Sequence, residues 1–453
     1  MINRKIDKFL DNFYKTTNKA LLITGARQIG KTYSVRAAAK RNFDNFVEVN
    51  FITSPDAVGI FKGAKDAAEI LFRLSAFVST PLVKGKTLIF FDEVQAYPEV
   101  VTLIKSLVDE GSYSYALSGS LLGVELNNLR SEPVGYMDVK EMFPLDMEEF
   151  FMAIGLAQSV IDALRECWRS KLPVDDFVHQ RMMKAFRLYL VVGGMPEVVQ
   201  TYLTTNNLQN VLAIQKSILI EYRRDITKYE STDNSKKLYV DDIFKLLPSE
   251  LNAKNKRFIL KELNSKARFA SYESSFLWLR DAGVALPTYN VEEPKLPLLL
   301  SKSRNLFKLF QNDVGLLTSQ FAKGIQLNLI NDDTSINFGA IYENVVAQEL
   351  KAHGFDLYYY NSKRYGELDF VIEHDGAVLP IEVKSGKDYD RHNALTNVLA
   401  LPEYGIESAL VLCNGNVAVK GKIMYVPIYM LMFLSSEHRV EVTYKLDLSD
   451  LRM

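Results

Sequence analysis

The stretch ALLITGARQIGKTYSV, Ala20 to Val35, decides the fold. Its apolar run ALLIT reads as a strand, and TYSVRAAAKR beyond it carries helix-forming residues. Between them, GARQIGKT from Gly25 to Thr32 fits the spacing G-x-x-x-x-G-K-[ST]. Gly25 and Gly30 can adopt the backbone conformations that turn successive N–H groups onto phosphates, and the helix N-terminus adds partial positive charge. Lys31 is expected to neutralise terminal phosphate oxygens, with the Thr32 hydroxyl as a ligand to Mg²⁺. Gly25, Ala26, Arg27, Gln28, Ile29, Gly30, Lys31, Thr32 and Tyr33 are therefore the expected nucleotide contacts.

A second acidic strand supports this reading. TLIFFDEVQ brings four apolar residues through a sheet and leaves Asp92 and Glu93 at the carboxyl edge, where open α/β sheets bind ligands. Asp92 is expected in the Mg²⁺ shell and Glu93 as the group that orients or deprotonates the attacking water. YALSGS ends a further strand, so Ser118 or Ser120 can meet the terminal phosphate or simply make a turn.

The bulk composition is that of an ordinary globular chain. At 453 residues it exceeds one usual core, and its net charge of −1 gives no overall attraction to nucleic acid. Any nucleic-acid contact must be local. Cys167 and Cys413 lie far apart without metal-ligand spacing, which suits a reducing compartment. The N-terminal MINRKIDKFLDNFYKTTNK lacks a signal-peptide core, and YVPIYMLMFL falls short of the ~20 residues needed to span a bilayer. The expected setting is cytoplasmic, without a membrane partner.

LLITGARQIGKT, LIFFDEVQ, LSGS, FPLDMEEFF and VVGGMPEVVQTYL together resemble the AAA-type, archaeal-type P-loop ATPases. The C-terminal half of those proteins is an uncharacterised domain of restriction-endonuclease-like fold. The resemblance implies ATP as the nucleotide, because nothing in the phosphate loop itself separates ATP from GTP. It also implies that Pro196 lies near the adenine; from the residues alone, GGMP is more simply a helix break.

The fold class expected is therefore α/β, in four parts. Residues 1–145 form a P-loop, AAA-like parallel-sheet core. Residues 146–235 form a helical lid with apolar spacing at helical period, as in NVLAIQKSILIEYRRDITKY. Residues 236–330 read as a winged-helix region, with ALPTYNV as its strand, and residues 331–453 as a nuclease-like α/β domain.

In that last part, ELDFVIEHDGAVLPIEVKS places Asp369 in one strand and Glu382 and Lys384 two apart, on the same side of the next. If the strands pair through EHDG, Asp369 comes close to Glu382. From the residues alone, Glu382 and Lys384 read more simply as a solvated strand face. The D-x₁₂-E-x-K arrangement resembles the PD-(D/E)xK nuclease core, with Glu343 at the further acidic position of a preceding helix and no proline before Asp369. That resemblance makes Asp369, Glu382 and Lys384 candidate catalytic residues, and Glu343, Asp369 and Glu382 candidate ligands of a second divalent metal.

Other groups remain open. His374 and His392 read better as surface loop histidines than as ligands. Arg130, Arg223 and Arg224 are candidates for a hydrolytic arginine but read better as surface or ion-pair arginines. Lys254, Lys256, Arg257, Lys261, Lys266, Arg268 and Arg280 surround the expected helix-turn-helix, where phosphate contact and interdomain packing weigh equally.

The function expected is that of an ATP-binding, Mg²⁺-dependent ATPase that couples hydrolysis to a DNA-associated nuclease-like domain. The alternatives are a slow nucleotide-dependent switch whose C-terminal domain binds a partner without cleaving, and a DNA-binding regulator. ATP and DNA are the expected partners, with a homo-oligomer left open.

Overall fold

Alternation of side chains builds the first sheet. The computed structural model describes residues 2–120, 135–228, 234–252, 269–322, 324–333 and 338–436. β1 (Ala20–Thr24), β2 (Asn45–Asn50), β3 (Thr87–Asp92), β4 (Ser114–Ser118) and β5 (Met137–Glu141) pair in the order β2-β3-β4-β1-β5, all parallel. Leu21, Ile23, Leu88, Phe90 and Ala116 face one core, while Ala20, Leu22, Ile89, Phe91 and Leu117 face the other. That period of two buries both faces, which is why these strands read as unbroken apolar runs. The edge strand β5 does not read that way, because MDVKE leaves most of its side chains partly or fully exposed.

A run of helices follows the first sheet. Asp146 caps the helix Met147–Ala153 by accepting from Glu149 N–H, and Glu149 returns a bond to the Asp146 N–H. Further helices run Gln158–Ser170, Asp176–Val192, Pro196–Thr205 and Leu208–Lys228. Gly193, at φ 73°, stops the helix Asp176–Val192, and Pro196 opens the helix Pro196–Thr205 at its first turn. GGMP is thus a helix break.

The second sheet corrects the expected boundary at residue 330. β6 (Ala285–Val291), β7 (Lys302–Gln311), β8 (Tyr358–Ser362), β9 (Gly366–His374), β10 (Ala377–Val383), β11 (Ala409–Cys413), β12 (Ala418–Lys420) and β13 (Ile423–Pro427) form one sheet. Its order is β12-β13-β11-β10-β9-β8-β6-β7. The strand expected as a wing, ALPTYNV, is β6, held between antiparallel β7 and parallel β8. It is an interior strand, because Ala285, Leu286 and Val291 need cover that a two-stranded wing cannot give. The helices Asn234–Asn252 and Phe269–Asp281 match two of the expected helical stretches. The basic residues from Lys254 to Arg268 lie outside the described residues.

β9 and β10 form the hairpin that the sequence anticipates. Asp375 and Gly376, at φ 50° and 74°, make its two-residue turn, and His374 pairs with Ala377. The helix Gly339–Ala352 lies buried along one face of this sheet, against β6, β7 and β10.

One apolar cluster runs without interruption from Leu21 and Ile23, through Phe186 and Val192, to Ile381 and Leu412. The first sheet, the helices after it and the second sheet therefore share a core. Asp313, fully buried, accepts from Gly194 N–H at 2.6 Å and from Leu316 N–H at 2.9 Å, fastening the helix break to the segment after β7. Among the described residues no helix is long and apolar enough to cross a membrane.

At Gly194 a Cβ would sit 2.1 Å from the Leu145 carbonyl oxygen, while Leu145 N–H donates to the Gly194 carbonyl at 2.7 Å. Gly194→Ala is accordingly expected to destabilise the fold by about 1–3 kcal/mol. The check is a urea titration in which the midpoint falls at constant slope.

Candidate nucleotide site and a second acidic cluster

The phosphate loop takes its shape from three left-handed residues, Gly25 at φ 123°, Gln28 at 63° and Gly30 at 94°. Alternating hands in this way aims successive N–H groups into one concavity. The loop is also wedged from behind. A Cβ at Gly25 would meet the Met142 carbonyl oxygen at 2.2 Å, and one at Gly283 would lie 2.9 Å from Ala26 N. Both positions require glycine for close approach as well as for φ, since Gly283 sits at 70°.

Lys31 is buried, and its ammonium donates to the carbonyls of Gly25 at 2.9 Å and Ala26 at 2.7 Å. Burial pushes its pKa down to about 8, against the opposing pull of Glu93 and Asp92. Thr32 Oγ1 donates to the Asp92 carboxylate at 3.1 Å, and Asn50 Nδ2 donates to Asp92 Oδ2 at 3.1 Å. Ser118 Oγ also donates to Asp92. A hydroxyl and a carboxylate held this close are the donor types a hard cation selects, so Thr32 and Asp92 fit Mg²⁺ shared with phosphate oxygens.

Glu93 sits at φ 56°, a strained conformation for a non-glycine residue, and accepts from Gln95 Nε2. Gln95 also donates to Ser120 Oγ at 3.3 Å, so Ser118 meets Asp92 directly while Ser120 meets the glutamine that holds Glu93. The Arg27 guanidinium lies 2.9 Å from Asp225 and donates to Ser120 Oγ at 3.1 Å. Gln28 Nε2 donates to Glu221 at 2.5 Å. These two expected contacts thus also bind the loop to the helix Leu208–Lys228. Ile29 buries its side chain and offers only backbone, while Tyr33 is exposed on the first turn of its helix. The Pro196 ring lies 3.8 Å from where a Gly30 Cβ would be, which puts it beside the loop.

Sequence reasoning missed several supports. Arg4 donates to the Ile29 carbonyl at 3.1 Å, to the Phe143 carbonyl at 2.7 Å and to Glu149 at 3.1 Å. It ties the loop to the start of the lid. Tyr222 OH donates to the Arg27 carbonyl at 3.4 Å and accepts from Asn312 Nδ2 at 3.4 Å, joining the loop to the second sheet. None has a local sequence signal, because each acts across a long separation. Of the candidate arginines, Arg130 lies outside the described residues and Arg223 pairs with Asp241 at 2.9 Å.

In the second sheet, Asp369 Oδ2 accepts from Val383 N–H at 2.9 Å, and Lys384 Nζ donates to Glu382 Oε1 at 2.7 Å. The structure therefore brings Asp369, Glu382 and Lys384 to one end of the β9–β10 pair. Glu382 is buried rather than solvated; burial and the Asp369 charge push its pKa up to about 8. Glu343 is buried nearby, on the helix Gly339–Ala352. Between these acids stands a residue the sequence reading passed over. Lys308 of β7, fully buried, places Nζ 2.7 Å from Glu367 Oε1 and 3.6 Å from Glu343 Oε2. Among the described residues, no group of three or more His, Cys, Asp or Glu side chains is arranged to hold a metal ion. Glu343, Asp369 and Glu382, the expected metal set, are not gathered into such a group. His392 is also corrected: it is buried, with Nε2 2.7 Å from Tyr425 OH, rather than on a polar surface. His374 is half-buried, 3.5 Å from Asp375.

Lys31 supplies a pH test. With its pKa near 8 in the free protein and raised by phosphates when ATP binds, binding must draw in a proton as pH rises through 8. Calorimetry in buffers of different ionisation enthalpy should find about nine-tenths of a proton taken up at pH 9 and about one-tenth at pH 7. Lys31→Arg, which keeps its charge, should show no such rise.

Comparisons with known proteins bear on each part separately. Residues 17–151 match the family described as AAA domain. Residues 183–327 and 338–431 match two domains of unknown function, DUF8612 and DUF4143. No curated protein matches the chain. The Walker-type ATPase PAby2304 of Pyrococcus abyssi is similar over 70% of this chain and 95% of its own, at 13% identity and a TM-score of 0.41. The Aeropyrum pernix ORC1 protein in complex with DNA aligns over 73% and 91%, at 13% identity and a TM-score of 0.26. The replication initiator DnaA bound to AMPPCP and single-stranded DNA aligns over 62% and 90%, at 14% identity and a TM-score of 0.29. Between residues 17 and 151, where the phosphate loop, Asp92 and Ser118 meet, this chain is similar to the AAA domain family.

Proposed function

We propose that this protein is a Mg²⁺-dependent ATPase that couples nucleotide state to its C-terminal sheet. One observation carries the reading: Lys31, Thr32, Asp92 and Glu93 converge at one edge of the first sheet, with Thr32 Oγ1 3.1 Å from Asp92. Loop N–H groups and the Lys31 ammonium would surround the β- and γ-phosphates, releasing Lys31 from the Gly25 and Ala26 carbonyls. Magnesium held through Thr32 and Asp92 would supply charge neutralisation on those phosphates. Glu93, steadied by Gln95, would orient the attacking water and accept its proton. Pro196, beside Gly30, supports a contact with the nucleotide.

Coupling rests on the loop's neighbours. Arg27 reaches Asp225, its carbonyl takes the Tyr222 hydroxyl, and Tyr222 meets Asn312. A shift of the loop on phosphate binding therefore acts on the helices after the first sheet and on the segment that follows β7 in the second sheet. The basic residues from Lys254 to Arg268 support nucleic acid as the class of partner for that part of the chain.

Purified protein should hydrolyse ATP, and Lys31→Ala should abolish turnover. Glu93→Gln should retain ATP binding while hydrolysis falls by about 10²–10⁴-fold. Unchanged hydrolysis in Lys31→Ala would refute the proposal.

A further inference from the structure

The acidic cluster of the second sheet has its cation built in. Lys308 lies within the apolar run NLFKLF, where a lysine would ordinarily point to solvent, yet its side chain is fully buried. It extends across the sheet from β7, passes its ammonium 5.0 Å from the centre of the Tyr359 ring on β8, and ends 2.7 Å from Glu367 on β9. On its other side Glu343 Oε2, from the helix, stands at 3.6 Å.

The remaining acids are also engaged. Asp369 gives Oδ2 to Val383 N–H, and Glu382 gives Oε1 to Lys384. Glu382 Oε2 is buried and has no hydrogen-bond partner. A divalent ion entering here would face a buried ammonium at close range and compete with it for the same carboxylates.

We propose that the Lys308 ammonium takes the place that the nuclease resemblance gives to a divalent metal, so that the C-terminal unit binds its partner without metal-dependent phosphodiester cleavage. The conclusion concerns the second sheet alone and does not depend on the ATPase reading. Burial by itself would lower the lysine's pKa, but Glu343, Glu367 and Asp369 together raise it above the ordinary lysine value. Lys308 also acts as a brace, pinning strands contributed from before residue 312 to the β9–β10 hairpin.

The test is Mn²⁺ binding by the nucleotide-free, full-length protein, read by electron paramagnetic resonance of the free ion. Wild type and Asp369→Asn should be indistinguishable, without a stoichiometric site. Lys308→Met should gain Mn²⁺ affinity on the order of tenfold or more, and Lys308→Met combined with Asp369→Asn should lose that gain. Mn²⁺ uptake by wild type that disappears in Asp369→Asn would overturn the proposal, as would plasmid cleavage with the same dependence. A folded Lys308→Met protein with no gained affinity would overturn it too. If Lys308→Met does not fold, the comparison of wild type with Asp369→Asn decides the matter. ATP turnover measured on the same wild-type preparation separates the two readings, since cleavage with intact ATPase refutes only this one.

Discussion

The closeness of backbone to backbone behind the phosphate loop is the constraint on which the rest of this structure depends. Gly25 lies against the Met142 carbonyl and Gly283 against Ala26, at separations that admit no side chain. The loop is gripped between the edge strand of its own sheet and the turn that leads into the other. Packing this tight does not deform gradually. A change in the loop has to be taken up by both neighbours, or by the side chains of Arg4, Arg27 and Tyr222 that already link them.

The two acidic centres solve opposite problems with the same residue types. At the first, Asp92 is surrounded by hydroxyl and amide donors from Thr32, Ser118 and Asn50, which can turn away when a cation arrives. At the second, the charge that meets the acids is covalently part of the chain. Lys308 cannot be exchanged, and its surroundings favour the charged form strongly. Burying one lysine among several carboxylates is tolerable only because each ion has a partner; removing one member would leave an uncompensated charge in the interior.

Much of the first centre was legible in the sequence because its chemistry is local. Gly25, Gly30, Lys31 and Thr32 lie within eight residues, and Asp92 with Glu93 ends an apolar run that can only be a strand. The β9–β10 hairpin was legible for the same reason, through the Asp375–Gly376 turn. Arg4, Tyr222 and Lys308 were not, because their partners are remote in sequence and their types are common on surfaces. β5 was missed because an edge strand with outward charges lacks the apolar run that marks the others. ALPTYNV was read correctly as a strand and wrongly as a wing: strand propensity is local, whereas its partners β7 and β8 are set by the tertiary fold.

The position of β6 and β7 has a consequence for how this protein can be divided. A fragment starting at residue 331 would lack both strands, leaving β8 with an open edge and Glu367 without the ammonium that neutralises it. What looks like a detachable module along the chain is not one in space. Any shortened version that keeps the second sheet whole must begin upstream of Ala285, and so takes with it the turn at Gly283 that was shaped to fit against the phosphate loop.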